Sequence, residues 1–307
     1  MSKTTDTQIP AVANFYLKIY HALPAINVPF TNFDISLSLL SAVFLTCIRF
    51  TNESILVKVF GWPEDAIPTK EAASSMTSIW HSTILCSGLI VAFMNEKYDV
   101  AAKIQDQGKD KKWWRDFADA LLQFCTGYMV YDTVINIFLL RWTPELKTFV
   151  FNTDDYLFLA HHMMTSSYMT SCRIIGAGYM SAFICMLLGE ITNPFQNLFM
   201  VAEIAVKLDC CNGPAMQQFF DFIKVVFAAA YFTVRTFIGP PFMLMVSYSL
   251  LLTKKGRTNV PILLNLFWNL MIWGVVFGSI SWITKCYNIL ADFAAGTART
   301  LRSCADK

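Results

Sequence analysis

Long runs of apolar residues without any Asp, Glu, Lys or Arg alternate with short polar segments along this chain. A helix needs about 20 such residues to cross about 30 Å of hydrocarbon. Four uncharged runs approach or exceed that length, and they lie between Glu71 and Glu96, between Asp155 and Arg173, between Arg235 and Lys254, and between Arg257 and Lys285. The pattern therefore predicts an integral membrane protein built from helices.

Shorter apolar segments complete a prediction of an all-α, multi-pass bundle with about seven transmembrane helices. We expect the spans at 33–50, 75–95, 117–140, 156–173, 178–202, 219–251 and 259–284, with ends uncertain by about 2–4 residues. The segment 219–251 is too long for one straight span, so Pro240 and Pro241 should break or kink it. The resulting division is an N-terminal tail (1–32), a transmembrane domain (33–285) and a C-terminal tail (286–307). Within the first tail, residues 14–20 could form an amphipathic helix at the interface.

Composition supports this assignment and limits the function. Hydrophobic residues make up 55% of the 307 positions and charged residues only 15%, against about 25% charged in a typical soluble domain. A net charge of +2 without a basic stripe argues against a nucleic-acid partner. Of nine cysteines, five lie in apolar runs, where a free cysteine behaves as a small apolar side chain. Four others lie near segment ends, where palmitoylation is one option: Cys210, Cys211, Cys286 and Cys304.

Ionisable side chains inside the predicted spans form the second pattern. Each costs about 2.5–3.5 kcal/mol on the membrane-insertion scale, so such residues usually face a bundle interior or a wet cavity. The residues concerned are His81, Asp132, His161, His162, Arg173, Glu190 and Arg235.

Helical spacing places several of these side chains on common faces, because positions three or four apart are neighbours. Pro194 breaks the fifth predicted span inside such a face, and a broken polar helix is tolerated only where it is buried in protein or lines a cavity. We therefore expect one central polar site. The faces are Tyr128 with Asp132, His161 with Thr165, and Glu190 with Asn193 and Asn197.

Structural interpretations compete with this hypothesis. Polar side chains also hydrogen-bond between helices, a lone histidine such as His81 is often simply packed, and Asp132 and Arg235 could form a plain buried ion pair. The pair His161-His162 is harder to explain structurally. Adjacent residues point about 100° apart, so one imidazole can face a site while the other packs or orients it. Three residues near span ends are expected to reach the interface: Asp119, Asp221 and Lys224.

Six short motifs occur in the order that is typical of one family. They are Ser78-Ile-Trp-His81, Gly127-Tyr-Met-Val-Tyr-Asp132, His161-His162-x-x-Thr165 with Arg173 following, Glu190-Ile-Thr-Asn-Pro-Phe-Gln-Asn197, Phe232-x-x-Arg235 and Leu264-Asn265-x-x-Trp268. With them, residues 33–285 resemble the TLC-domain family of multi-pass endoplasmic-reticulum membrane proteins. That family includes ceramide synthases, translocon-associated proteins and lipid-handling members. The resemblance implies a lipid-related function in the endoplasmic reticulum.

The resemblance favours a branch other than the ceramide synthases. Those enzymes follow the paired histidines with a His-Asp-x-x-Asp-x-x-Leu-Glu run. Here the run reads Gly189-Glu190-Ile-Thr-Asn193-Pro-Phe-Gln-Asn197, which keeps one acid in kind and replaces two by asparagine. The general acid and base groups that acyl transfer to an amine requires are therefore only half present.

Two main hypotheses follow, and a third is weaker. The first is a protein that binds or senses a membrane lipid in an intramembrane cavity and acts in lipid homeostasis. Its ligand contacts would be His81, Tyr128, Asp132, Thr165, Arg173, Glu190, Asn193, Asn197 and Arg235, together with both paired histidines. The second is an acyl-CoA-dependent acyltransferase or related lipid-modifying enzyme that uses His161 and His162 as catalytic residues. The third is a cargo receptor or membrane adaptor. No cofactor and no metal site are predicted, and a homo-oligomer is left open.

Overall fold

The computed structural model describes residues 9–305, except 109–110, 144–146, 152 and 209. Helices dominate this part of the chain, and one small antiparallel hairpin interrupts them. The elements are α1 (Ala11–Ala22), α2 (Ser36–Lys58), α3 (Ile67–Asn95), α4 (Lys112–Tyr131), the π-helix π1 (Asp132–Leu139), β1 (Trp142–Thr143), β2 (Thr148–Phe149), α5 (Thr153–Ile175), α6 (Tyr179–Glu190), α7 (Asn193–Lys207), α8 (Pro214–Thr233), the π-helix π2 (Val234–Ile238), α9 (Gly239–Leu251), α10 (Lys254–Asn259), α11 (Ile262–Gly278) and α12 (Ile280–Ala305).

The all-α prediction is confirmed, because each predicted span lies on one of these helices or on two or three consecutive ones. Within the described residues, four helical stretches are long and apolar enough to cross a membrane: Ser36–Lys58, Ile67–Asn95, Pro214–Leu251 and Ile262–Gly296. The total of seven spans stays a prediction, since α4, α5 and the α6–α7 pair fall outside that group.

Helices α2 and α4 are in unusually close contact at Gly127. A Cβ atom added there would clash with the Ser38 carbonyl oxygen and lie 2.7 Å from the Ser41 Cβ, so only glycine permits the approach. One turn earlier on α4, Gln123 Oε1 accepts hydrogen bonds from the backbone N–H groups of Leu37 (3.1 Å) and Ser38 (3.4 Å). This buried amide therefore satisfies donors that the first turn of α2 would otherwise leave free.

The N-terminal segment forms the helix that the amphipathic pattern predicted, and one face of it is packed on the bundle. Tyr16 is buried between the rings of Phe117 and Phe124. Its hydroxyl donates a hydrogen bond to the Ile84 carbonyl at 3.2 Å. Helix α1 thus belongs to the packed core; residues 1–8 of the predicted tail lie outside the described part of the chain.

The two proline signals have different outcomes. Near Pro194 the expected break is present, because α6 ends at Glu190 and α7 begins at Asn193 with the proline in its first turn. That position requires no backbone donor. Pro240 and Pro241 do not interrupt their helix, which is continuous over Pro214–Leu251. The wider π-helical turn directly before them offers room for rings that would clash in a regular α-helix.

Helix α12 continues through the region predicted as a C-terminal tail and packs on α8. Cys286 is fully buried there beside Phe227 and Tyr231, so its thiol is not accessible for the acylation considered above. Cys210 is exposed and Cys211 is partly buried in the loop between α7 and α8. The side chain of Cys304 lies outside the part that the structure describes.

Candidate functional site

A cavity of about 440 Å³ lies between the helices on the side formed by α3 to α7, π2, α9 and α11. Its volume is within the range of small-molecule sites, about 300–1,000 Å³. Nine of the predicted site residues line it: Tyr128, Asp132, His161, His162, Thr165, Glu190, Asn193, Asn197 and Arg235. The structure thus brings most of the intramembrane polar groups to one chamber, which is the arrangement that helical spacing predicts.

Both ring nitrogens of His162 are held by neighbouring side chains. Its Nε2 lies 3.2 Å from Asp132 Oδ2, and its Nδ1 lies 3.2 Å from Thr133 Oγ1. The imidazole is buried, and Asp132 is 9% exposed. A histidine with a partner on each nitrogen has a fixed ring orientation. Asp132 stands at the first position of π1, directly after α4.

His161 differs from its neighbour, because within the described residues neither of its nitrogens makes a hydrogen bond. The side chain is exposed and lines the cavity, and its ring centroid lies 5.8 Å from that of His162. One imidazole is therefore held in place while the other is available to whatever occupies the chamber.

Glu190 lies at the break between α6 and α7, where local groups hold its carboxylate. Asn193 Nδ2 donates to Glu190 Oε2 at 2.8 Å, and His81 Nδ1 lies 3.8 Å from the same oxygen. Asn197 Nδ2 in turn donates to the Asn193 carbonyl at 2.9 Å. The stripe predicted from spacing is thus a chain of contacts across the break.

His81 lies behind the cavity wall and does not line the chamber. Its ring is fully buried and stacks on that of Tyr128, with centroids 3.7 Å apart and planes at 6°. The Tyr128 hydroxyl and Ser78 Oγ are hydrogen-bonded at 2.7 Å. The arrangement makes His81 a support for Tyr128 and Glu190 that does not touch the cavity.

Arg235 lines the cavity without forming the ion pair with Asp132 that the sequence left open. That alternative is wrong, because Asp132 pairs with His162. The guanidinium donates from Nη2 to the Gly189 carbonyl oxygen at 3.0 Å and lies 5.3 Å from the centre of the Tyr231 ring.

Arg173 lies elsewhere, at the other end of α5, in contact with residues that precede α2. Its Nε donates to Asp119 Oδ1 at 2.7 Å, and its Nη2 donates to the Asp34 carbonyl at 2.6 Å. The guanidinium also covers the ring of Phe33 at 4.3 Å. The structure therefore separates Arg173 from the cavity and makes Asp119 its partner in an ion pair.

Sequence reasoning missed a charged group on the cavity wall. Arg141 Nε donates to Asp155 Oδ2 at 2.8 Å, and Arg141 Nη1 lies 3.6 Å from Glu71 Oε1. All three residues line the chamber. In the sequence, Glu71 and Asp155 mark only the ends of uncharged runs. Such positions indicate span boundaries, and they do not indicate that the two side chains lie on one cavity wall.

The remainder of the lining is largely apolar and rich in methionine. Unbranched thioether side chains adapt their shape to a bound group, and Met is over-used at surfaces that accept several ligands. The methionines are Met129, Met169, Met186, Met200, Met243 and Met271. The chamber thus combines a polar wall with an adaptable apolar one.

A family model, the TLC domain, matches residues 71–288. The chain belongs to the TLC domain family. A TLC domain-containing protein of Arabidopsis thaliana, At5g14285, is 31% identical over 218 residues, which cover 69% of this chain and 75% of that protein. No solved structure matches the chain. The predicted resemblance is confirmed, and the apolar helices and the family together make this a membrane protein, for which family membership suggests a lipid-related function.

Proposed function

We propose that this TLC domain protein binds one membrane lipid in the cavity and acts in membrane lipid homeostasis. The observation that carries the proposal is the presence of hydrogen-bonding groups on the wall of an otherwise apolar chamber inside a membrane protein. Such groups are costly in a bilayer unless they have partners. Most of them have protein partners, but His161 makes no hydrogen bond within the described residues, and a lipid with its chain along the methionines and its headgroup near His161 would supply one.

Gly189 offers a direct test, because its backbone lines the cavity and an added Cβ would meet no atom within 4 Å. Gly189→Leu should fill part of the chamber without disturbing the helices around it. We expect the purified variant to retain several-fold less copurified lipid by mass spectrometry.

Gly274→Leu is the matched control. Gly274 is an exposed helical glycine whose added Cβ would also meet nothing, and it does not line the cavity. This variant should retain lipid as the unchanged protein does. Equal lipid content in both variants and in the parent would contradict the proposed function, as would an unchanged lipid profile after alanine replaces both His161 and His162.

A second candidate function is acyl transfer from acyl-CoA, which would use the histidine pair on the cavity wall. His161 is free to attack the thioester carbonyl, while His162 is oriented by Asp132. Attack by an imidazole nitrogen would form an acyl-imidazole and break the thioester bond, and the CoA thiolate would take the proton that the imidazole N–H releases. An acceptor amine or hydroxyl would then attack the acyl carbonyl, and its proton would return to the imidazole. Labelled acyl-CoA tests this step. Label on the parent protein that His161→Ala abolishes would favour the enzyme; absence of label together with absence of transfer to any lipid acceptor would exclude it.

We infer that the protein resides in the endoplasmic reticulum, and the family resemblance alone supports this inference. Co-localisation of a tagged chain with a resident marker of that membrane is the corresponding measurement. A plasma-membrane or Golgi distribution at native expression would contradict it.

A further inference from the structure

The charged side chains on the cavity wall are, with one exception, already engaged by groups of opposite or complementary character. Arg141 contacts two carboxylates, and Asp132 contacts the His162 ring. Glu190 accepts a hydrogen bond from the Asn193 amide, and the His81 ring lies nearby. A ligand therefore gains little from approaching these groups, since each already has its partner.

Arg235 is the exception. Within the described residues no carboxylate forms an ion pair with its guanidinium, its Nε is buried without a hydrogen-bond acceptor, and its one hydrogen bond goes to the Gly189 carbonyl. An unpaired cation inside a membrane helix is expensive. The planar donor group of arginine matches a carboxylate or phosphate better than any other ligand group.

The size of the chamber limits which molecules can carry a carboxylate or phosphate to Arg235. The cavity volume of about 440 Å³ lies in the lower half of the range of small-molecule sites, about 300–1,000 Å³. We therefore expect the chamber to enclose one acyl chain and not two.

We propose that the ligand is a single-chain amphiphile with an anionic headgroup, a carboxylate or a phosphate, which pairs with Arg235 while its chain lies along the methionines. This inference rests on the proposed function and deepens it by naming the ligand class. It excludes long-chain amines and two-chain phospholipids as preferred occupants of the chamber.

Binding of matched ligands to the full-length protein in detergent tests the inference. Native mass spectrometry should compare palmitic acid, hexadecanol and hexadecylamine, which share a chain length, with lysophosphatidic acid and a two-chain phosphatidic acid. We expect the palmitate anion or the lysophosphate to bind about tenfold to a hundredfold more tightly than the alcohol, as charge-assisted hydrogen bonds predict. Whichever of the two binds more tightly identifies the headgroup.

Arg235→Gln should remove this preference, so that the palmitate anion binds no more tightly than hexadecanol, whereas Arg235→Lys should keep part of it. Lys224→Gln is the matched control, because Lys224 is a partly buried cation of the preceding helix that lies beside a ring, 5.9 Å from that of Phe220, and does not line the cavity. Equal affinity of the parent protein for acid, alcohol and amine would overturn the inference and leave the proposed function standing. Binding of the two-chain phosphatidic acid alone would likewise overturn only the inference, whereas failure of every ligand in the panel to bind would overturn both.

Discussion

The His161-His162 pair and Arg173 lie on the same helix, about three turns apart, and they belong to two polar clusters of different kind. Arg173 donates hydrogen bonds to Asp119 and to a backbone carbonyl, and it does not line the cavity. The histidines open onto a chamber, and His161 has no hydrogen-bond partner within the described residues. One helix thus carries a structural cluster and a candidate functional one.

An intramembrane charge therefore identifies a site only when its pairing is known. By insertion cost alone, Arg173 and Arg235 are equivalent. The structure distinguishes them, because Arg173 forms an ion pair with Asp119, whereas within the described residues Arg235 donates only to a backbone carbonyl. Variants in both clusters can test this distinction.

The largest effect is expected from Arg173→Leu. The variant leaves Asp119 without its cation, and breaking a buried pair from one side costs about 3–5 kcal/mol. The thermal unfolding midpoint of the purified protein should fall by many degrees, while lipid retained per folded molecule stays constant. Recovery of part of the loss in the double variant Asp119→Leu, Arg173→Leu is the control. Loss of bound lipid without loss of stability would show instead that Arg173 contacts the ligand.

A smaller loss should follow from Gly127→Ala, at the contact between α2 and α4. The new methyl group meets Ser38 backbone and Ser41, and overpacking of this kind costs about 1–3 kcal/mol. Gly189→Ala is the matched change at the cavity, where the methyl group enters open space and a helical alanine is favoured over glycine by up to about 1 kcal/mol. Unfolding midpoints that move in opposite directions would support the contrast. An equal loss of stability in both variants would show that the methyl group at position 189 meets protein atoms and does not enter an open chamber.

Asp132→Asn should weaken the hold on His162 with a moderate effect on lipid binding. The contact with the carboxylate becomes at best a neutral hydrogen bond, a loss of about 1–2 kcal/mol in orientation of the imidazole. Retained lipid should decrease several-fold, and Thr133→Val should produce a similar but weaker decrease through the other ring nitrogen. Lipid content that is unaffected in both variants would show that the fixed orientation of His162 has no part in binding.

The smallest effect concerns Asp34, in the loop before α2. Burial would raise the pKa of its carboxyl, but hydrogen bonds from Ser36 and from the Ile26 backbone outweigh this, so the pKa lies below its ordinary value of 3.8. A lowered pKa means that ionised Asp34 stabilises the fold above that value and that the contribution is lost as the pH falls. The advantage over Asp34→Asn should be below about 1 kcal/mol near pH 7, because solvent reaches the carboxylate. It should decrease as the pH falls below 3.8; a difference that stays constant on acidification would refute the assignment.

Much of the fold could be predicted, because span length and helical spacing are properties of the chain itself. Seven helical segments, the break at Pro194 and the common faces of Tyr128 with Asp132 and of His161 with Thr165 all follow from periodicity. The continuity of the helix across Pro240 did not follow, since it depends on a π-helical turn that no local pattern indicated.

The site was less accessible to sequence reasoning, because pairing is decided between segments far apart in the chain. Asp119 and Arg173 are 54 positions apart, and nothing in either segment says that they meet. The separation of His81 from the chamber is similar, because its place behind Tyr128 depends on how α3 packs on α4. Arg141 and Glu71 escaped attention since each looked like an ordinary span end.

The two π-helical turns have a consequence for how the chamber is shaped. Each contains a charged cavity residue, Asp132 in π1 and Arg235 in π2. A turn closed by bonds from i to i+5 holds one more residue than an α-turn, so the side chains beyond it are rotated by about 100° from the direction that the preceding helix would give them. In both helices the charged residue therefore lies where the side-chain directions shift by one residue. Deleting a single residue from either π-helical turn would turn the cavity-lining side chains that follow it towards the bilayer.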